Sequence, residues 1–246
     1  MLISYCTTCC NRLWQLALSL PDNFKRLNKN EELILVNYGS TDNLTRYIES
    51  SYVCRKLMDK NIFKYIDVLD VSKYHCSKAK NIAHRFASGK FLINLDADNT
   101  NYLINKSILS TKNRNKALVH LCSNVYPNGT YGKICIPKHI FYKLGGYDES
   151  LLPTAYQDGD IMERARAMNF EIISKPILVD AIPNTMEEKV NQTGLKDWGE
   201  CWHANKAKSD FNISKNNLIA NKDTGWGYAK ARINFGELQE FKEIFP

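Results

Sequence analysis

Asp96-Ala97-Asp98 places two carboxylates one residue apart, directly after the apolar run Phe91-Leu92-Ile93. In extended chain, residues two apart point to the same side. Two carboxylates that close repel unless a cation lies between or near them. Hard oxygen donors suit Mg2+ or Mn2+. Asp-Ala-Asp-Asn is also ordinary turn chemistry, so the triplet alone leaves both readings open. A second acidic group follows at Asp158-Gly159-Asp160. Asp160 and Glu163 have the spacing of a helix N-terminal cap, which gives Asp160 a structural task. Asp158 lies two residues earlier, outside that expected helix, and is freer to face a cleft. Residues two apart do not share a helix face, so the two aspartates have different jobs in either case.

The elements that must position these groups alternate between strand and helix. Leu2 to Tyr5 reads as a short strand followed by a Thr/Cys loop. Leu13, Leu16, Ala17 and Leu20 recur at helical spacing, with Asn11 placed to cap and Pro21 to stop. Glu32 to Val36 reads as a buried strand ending in the turn Asn37-Tyr38-Gly39-Ser40-Thr41-Asp42. Ala79, Ile82, Ala83 and Phe86 form a helix face, and Gly89 stands where a helix C-terminus wants glycine. Further strands are expected at Lys133 to Ile136, Ile172-Ile173 and Ile177-Leu178-Val179, and a helix face at Ile161, Ala165 and Met168. Such alternation predicts an α/β fold with a mostly parallel central sheet flanked by helices. Ligands in such sheets bind beyond the carboxyl ends of the strands, where the polar clusters fall. The last sixty or so residues carry no clear period.

Composition narrows the class. The chain has 246 residues, 44% of them hydrophobic and 24% charged, enough for one domain with a sizeable core. No run of about 18 apolar residues exists, and the N-terminus lacks the basic and apolar regions of a signal peptide. The expected location is therefore cytoplasmic. The eight cysteines are then expected to be reduced, and Cys6 and Cys9 have no second CxxC to complete a zinc site. The net charge of +7 suits an anionic ligand or an anionic lipid surface. The lysines form no dense block, which speaks against a nucleic-acid partner. Phe235, Leu238, Phe241 and Phe245 either pack on the core, the favoured reading, or make loose contact with the inner face of a membrane.

The order of segments resembles the nucleotide-binding half of GT-A glycosyltransferases of the family 2 type. The matching pieces are the loop Cys6 to Arg12, the turn Val36 to Asp42, the helix Lys78-Ala79-Lys80-Asn81-Ile82-Ala83, and Asp96 to Asp98. Downstream, Gly132 to Lys138, Leu144-Gly145-Gly146-Tyr147-Asp148-Glu149 and Gln157-Asp158-Gly159-Asp160-Ile161 resemble the catalytic region of β-1,4-galactosyltransferases and polypeptide N-acetylgalactosaminyltransferases. Gln157 stands where a glutamate is usual, and Gly159 where the galactosyltransferases carry an aspartate. The second turn has Asn37 and Tyr38 where an acidic residue is common.

The resemblance implies a single GT-A domain: a nucleotide-binding half over 1–100, an acceptor and catalytic half over 101–183, and a C-terminal segment over 184–246. It implies an inverting, metal-dependent hexosyl transfer from a nucleotide-sugar, a UDP-sugar by default, to a glycan or lipid-linked acceptor. Mn2+ or Mg2+ would sit on Asp98 with Asp96, and His203 would be a third ligand. Thr7, Thr8, Arg12 and Asn81 would line the nucleotide site, with Asp96 shared between metal and nucleotide. Asp42 would accept from a pyrimidine N–H or a ribose hydroxyl, and Lys80 or Lys78 would face the pyrophosphate. Asp158 would be the base. Trp198 and Trp226 read more readily as core residues than as sugar platforms, although the glycines beside Trp226 suit a loop closing over the donor. Two other classes remain: a nucleotidyltransferase, disfavoured because the first loop has no glycine, and a non-catalytic nucleotide- or carbohydrate-binding protein.

Overall fold

The computed structural model describes residues 2–122, 129–177, 179 and 181–246. Strand β1 (Ile3–Cys9) is the pivot of a 9-stranded sheet ordered β7-β5-β6-β4-β1-β2-β3-β8-β9. The chain leaves β1 through α1 (Leu13–Lys25) to β2 (Glu31–Tyr38). It then passes through α2 (Leu44–Ser50) and α3 (Tyr52–Asp59) to β3 (Phe63–Val68). Next, α4 (Cys76–Arg85) carries it back across β1 to β4 (Phe91–Asn94). The strands β1 to β4 are parallel. Because the strand order reverses beside β1, the loops after β1 and β4 part there and leave a crevice.

The rest of the sheet extends both edges. After α5 (Ile104–Ser110) come β5 (Ala117–His120) and β6 (Ile134–Pro137), and β6 lies antiparallel between β4 and β5. Then α6 (Lys138–Lys143) and α7 (Gln157–Ala167) lead to β7 (Glu171–Ser174), parallel to β5. A short α8 (Met186–Val190) and the long α9 (Trp198–Ser214) precede the hairpin of β8 (Ala229–Ile233) and β9 (Leu238–Phe241), which closes on β3. Among the described strands, only β6 and β8 oppose the common direction.

Strand alternation sorts the core into two layers. Ile3, Tyr5 and Cys9 of β1 pack with Leu16 and Leu20 of α1. Cys6, on the other face, packs with Ile82 of α4, Phe141 of α6 and Ile161 of α7. Trp226 is fully buried against Phe141 and Tyr142, so the core reading holds for it. Its flanking glycines turn the chain where Trp226 bridges Ile244, not over the crevice. Cys6, Cys9, Cys10, Cys54, Cys76, Cys135 and Cys201 are free thiols.

Local expectations shift in four places. The loop expected from Cys6 is strand up to Cys9. Pro21 does not stop α1, which runs on to Lys25. Proline removes one helical N–H, while Asn23, two residues on, ties the last turn to the chain after β4 through its bonds with Asn99 and Asn101. Gly89 has no left-handed φ; a Cβ there would stand 2.6 Å from Ser4 Oγ, so glycine serves close approach to β1. Ile177 bonds to Leu121 beyond the named strands, and Leu178 lies outside the described residues.

His84 is fully buried in α4, stacked on Phe141, with Nδ1 2.7 Å from the Lys80 carbonyl oxygen. Burial pushes its pKa down to about 3. An unfolded histidine titrates near 6.5, so below that pH the unfolded chain takes up a proton that the folded one refuses. Stability should fall as pH drops from about 6.5 toward 3, by up to about 1.4 kcal/mol per pH unit from this residue. Urea midpoints at pH 7 and pH 5 measure it; an unchanged midpoint would contradict a neutral, buried His84.

Candidate functional site

The crevice at the reversal point is a cleft of about 840 Å3, within the usual range for small-molecule sites. Thr8, Arg12, Lys80, Asp96, Asp98 and Asp158 all line it. Thr8 reaches it because β1 alternates; its neighbour Thr7 points to the other face and is buried with its hydroxyl unpartnered. The Thr8 hydroxyl lies 3.0 Å from the Tyr74 hydroxyl on the cleft wall.

Asp96 to Asn99 is a tight turn closed by the Asn99 N–H on the Asp96 carbonyl at 2.9 Å. Ser19 of α1 anchors it through the Ala97 carbonyl at 2.5 Å. The turn lifts Asp96 and Asp98 off the end of β4 into the cleft, so both readings of the triplet apply: it is turn chemistry and it presents two carboxylates. Asp98 accepts from Asn99 Nδ2 at 2.7 Å and from Asn184 Nδ2. Burial and then the Asp96 charge push the Asp98 carboxyl up, against the pull of Asn99, Arg12 and Asn184.

Lys80 projects from α4 between the acidic groups. Its ammonium donates to both oxygens of Asp158, at 2.7 and 2.9 Å, and stands 3.9 Å from Asp96. Burial alone would lower its pKa, but Asp158, Cys76 and Asp96 outweigh it and hold the ammonium charged. Gly132 makes the convergence possible: a Cβ there would sit 2.9 Å from both Asp96 Oδ2 and Asp158 Oδ2. Lys133, the next residue, is buried; desolvation drops its pKa to about 8, resisted by Asp96 and Asp98. Gly132 and Lys133 open the segment that resembles the galactosyltransferases, but nothing in the sequence assigns either a role at the site, because that role exists only once β6 lies beside β4.

Asp158 sits in the first turn of α7, not ahead of it, because the helix begins at Gln157. Asp160 does not cap; it is buried in an ion pair with Arg164 at 2.8 Å and accepts from Ser209 of α9. Ala155 and Tyr156, just before α7, both hold left-handed backbone. Asn205 of α9 fixes them by donating to the carbonyls of Thr154 and Ala155 at 2.9 and 2.7 Å. A Cβ at Gly159 would stand 2.8 Å from the Tyr156 ring, which explains glycine there. Tyr156, Trp198 and Trp202 form an aromatic wall of the cleft that Asp158 also lines, the Tyr156 and Trp202 rings meeting edge to face at 5.4 Å. Trp198 thus belongs to the cleft, not to the core.

Three further residues expected at the site stand elsewhere. Asp42 accepts from the Leu13 N–H at 2.7 Å and caps α1, while Asn11 ties the turn around Asp42 through Thr41. Asn81 is fully buried and braces the Tyr147–Glu149 turn. His203 lies exposed on α9, outside the cleft lining. Lys78 is exposed as well. Among the described residues no group of three or more His, Cys, Asp or Glu side chains converges on a metal position.

No family model and no curated protein matches the sequence. Solved structures do. A mannosyltransferase from Pyrobaculum calidifontis, described with GDP-Man and Mn2+, aligns with a TM-score of 0.58 at 15% identity, covering 88% of this chain and 71% of its own. TarS of S. aureus, residues 1–349, aligns with a TM-score of 0.56 at 14% identity over 88% and 74%. The catalytic domain of Drosophila β1,4-galactosyltransferase 7, described with xylobiose, aligns with a TM-score of 0.52 at 12% identity over 85% and 79%. The chain has the GT-A fold.

Proposed function

We propose that the protein is a nucleotide-sugar glycosyltransferase that uses a divalent cation and inverts the anomeric centre. The observation that carries this reading is the convergence of Asp96, Asp98, Asp158 and Lys80 at the strand-order reversal of a GT-A fold. TarS in complex with UDP supports UDP as a first ligand to try.

The charges of the cleft support a cation. Arg12, Lys80 and Lys189 line the cleft with Asp96, Asp98, Asp158 and Glu188, and the buried Lys133 acts on Asp96 and Asp98 from behind, so four charges of each sign balance. A diphosphate entering this balanced site adds negative charge that a divalent ion would offset. Few ligating side chains suffice, because Mg2+-type ions are held by one or two carboxylates plus substrate phosphates and water. Asp98, with Asp96, would hold the ion, whose chemistry is Lewis-acid stabilisation of the leaving diphosphate.

The chain's own residues do the rest. Lys80 fixes the Asp158 carboxylate by binding both of its oxygens. Asp158 takes the proton of the acceptor hydroxyl as that oxygen attacks the anomeric carbon from the face opposite the diphosphate. The wall of Tyr156, Trp198 and Trp202 suits a saccharide acceptor stacked over Asp158. Of the apolar C-terminal side chains, Phe235 packs on Tyr65 and Phe241 on Phe86. No described helix is long and apolar enough to cross a membrane.

UDP should bind more tightly with Mn2+ than in excess chelator, and Asp98→Ala should remove that difference. Calorimetric titration of UDP measures both. Equal affinity with and without metal would end the metal-dependent reading. Donor hydrolysis to free sugar and UDP would separate a transferase from a nucleotidyltransferase or a binding protein.

A further inference from the structure

Ala181 to Asn184, with Glu188 and Lys189, line the cleft as a strap. The Ile182 N–H donates to the Asp98 carbonyl at 2.8 Å, and Arg12 Nη2 donates to the Glu188 carbonyl at 2.9 Å. Within this strap one side chain makes an unusual set of contacts. Asn184 Oδ1 accepts from Arg12 Nη1 and from Gln15 Nε2, each at 2.7 Å. Both partners are pure donors at those atoms, so the orientation of the amide is fixed. Its Nδ2 therefore faces Asp98, and it donates to Oδ2.

We propose that Asn184 is a positioning residue for cation binding: it clamps the Asp98 carboxylate in the rotamer that presents its remaining lone pairs to the cleft, and couples that carboxylate to Arg12. The proposal rests on the metal-dependent reading above. Asn99 Nδ2 holds the other oxygen, Oδ1, at 2.7 Å, so each oxygen of Asp98 is tied by one amide N–H. A carboxylate accepts about four hydrogen bonds, so lone pairs remain for an ion. The clamp is itself rigid. Gln15 is fully buried on α1 and also donates to the Pro183 carbonyl at 3.1 Å. Without the clamp, Asp98 would be free to turn away from Asp96, the like charge beside it.

The test measures Mn2+ binding by the whole protein in the presence of UDP, read as the loss of the free-ion electron paramagnetic resonance signal. Melting temperatures are taken with and without Mn2+. Asn184→Ala should weaken Mn2+ binding by about 10–100-fold, the usual effect of losing a residue that orients a metal ligand. Asn184→Asp keeps the shape but sets a carboxylate against Asp98. It should melt lower than the wild type without metal and gain more from Mn2+ than the wild type does. A purely structural asparagine would lower both melting temperatures equally, with and without metal, and leave the Mn2+ affinity intact. That result overturns the proposal alone. A wild-type protein that takes up no Mn2+ with UDP overturns the metal reading beneath it.

Discussion

Asp158→Asn is expected to bind donor and cation as the wild type does and to lose transfer by roughly 10²–10⁴-fold, the usual contribution of a general base. The amide keeps an oxygen that can accept from the Lys80 ammonium, so the local packing survives. What would disappear, on the proposed mechanism, is the ability to take a proton from the attacking hydroxyl. Turnover of donor, with water or with an acceptor found by screening, gives the rate, and NMR of the product gives the anomeric configuration. Near-normal turnover would remove Asp158 from the chemistry. A product of retained configuration would remove the inverting mechanism.

The second large effect concerns stability. Asp160 and Arg164 are each about 1% exposed, and Arg164 also donates to the carbonyls of Leu144 and Gly146 at 2.7 and 2.9 Å. Asp160→Ala strands a guanidinium in the core. Breaking a buried pair from one side costs about 3–5 kcal/mol, and the lost Ser209 bond loosens α9 as well. Urea unfolding should show a markedly lower midpoint. A change within about 0.5 kcal/mol, the range of neutral surface substitutions, would mean that the charge is met by some other group.

The strand–helix order of the first hundred residues was legible because it is written in periodicity: Ile34 and Leu35 of β2, Ile82 and Ala83 of α4, and Leu92 of β4 are core residues in place. The placements that moved depended on distant partners. Asp42 reads as a nucleotide contact until the N–H of Leu13, 29 positions upstream, is seen to claim it. Asn81 looks like part of a basic helix face, yet its amide is spent on a turn 66 positions downstream. Helix α9 was unreadable for a different reason. Its buried face consists of Cys201, Asn205 and Ser209, correctly spaced but small or polar, so no apolar stripe announces it. The same helix supplies Trp198 and Trp202 to the cleft, and so the aromatic wall went unread with it.

The hairpin of β8 and β9 has a bearing on how the chain comes to be folded. Strand β3 carries Phe63, Tyr65, Ile66 and Val68, all buried, and among the described residues its outer edge is paired by β8, which begins at Ala229. During synthesis, the first four strands can associate long before that partner has been made, and until then β3 offers an open, apolar edge of the kind that recruits other chains. Completion of the sheet waits for residues 229–241, and the edge they leave outside, β9, is mostly exposed and bears Glu240. Nascent chains stalled before residue 229 should therefore be the aggregation-prone species of this protein.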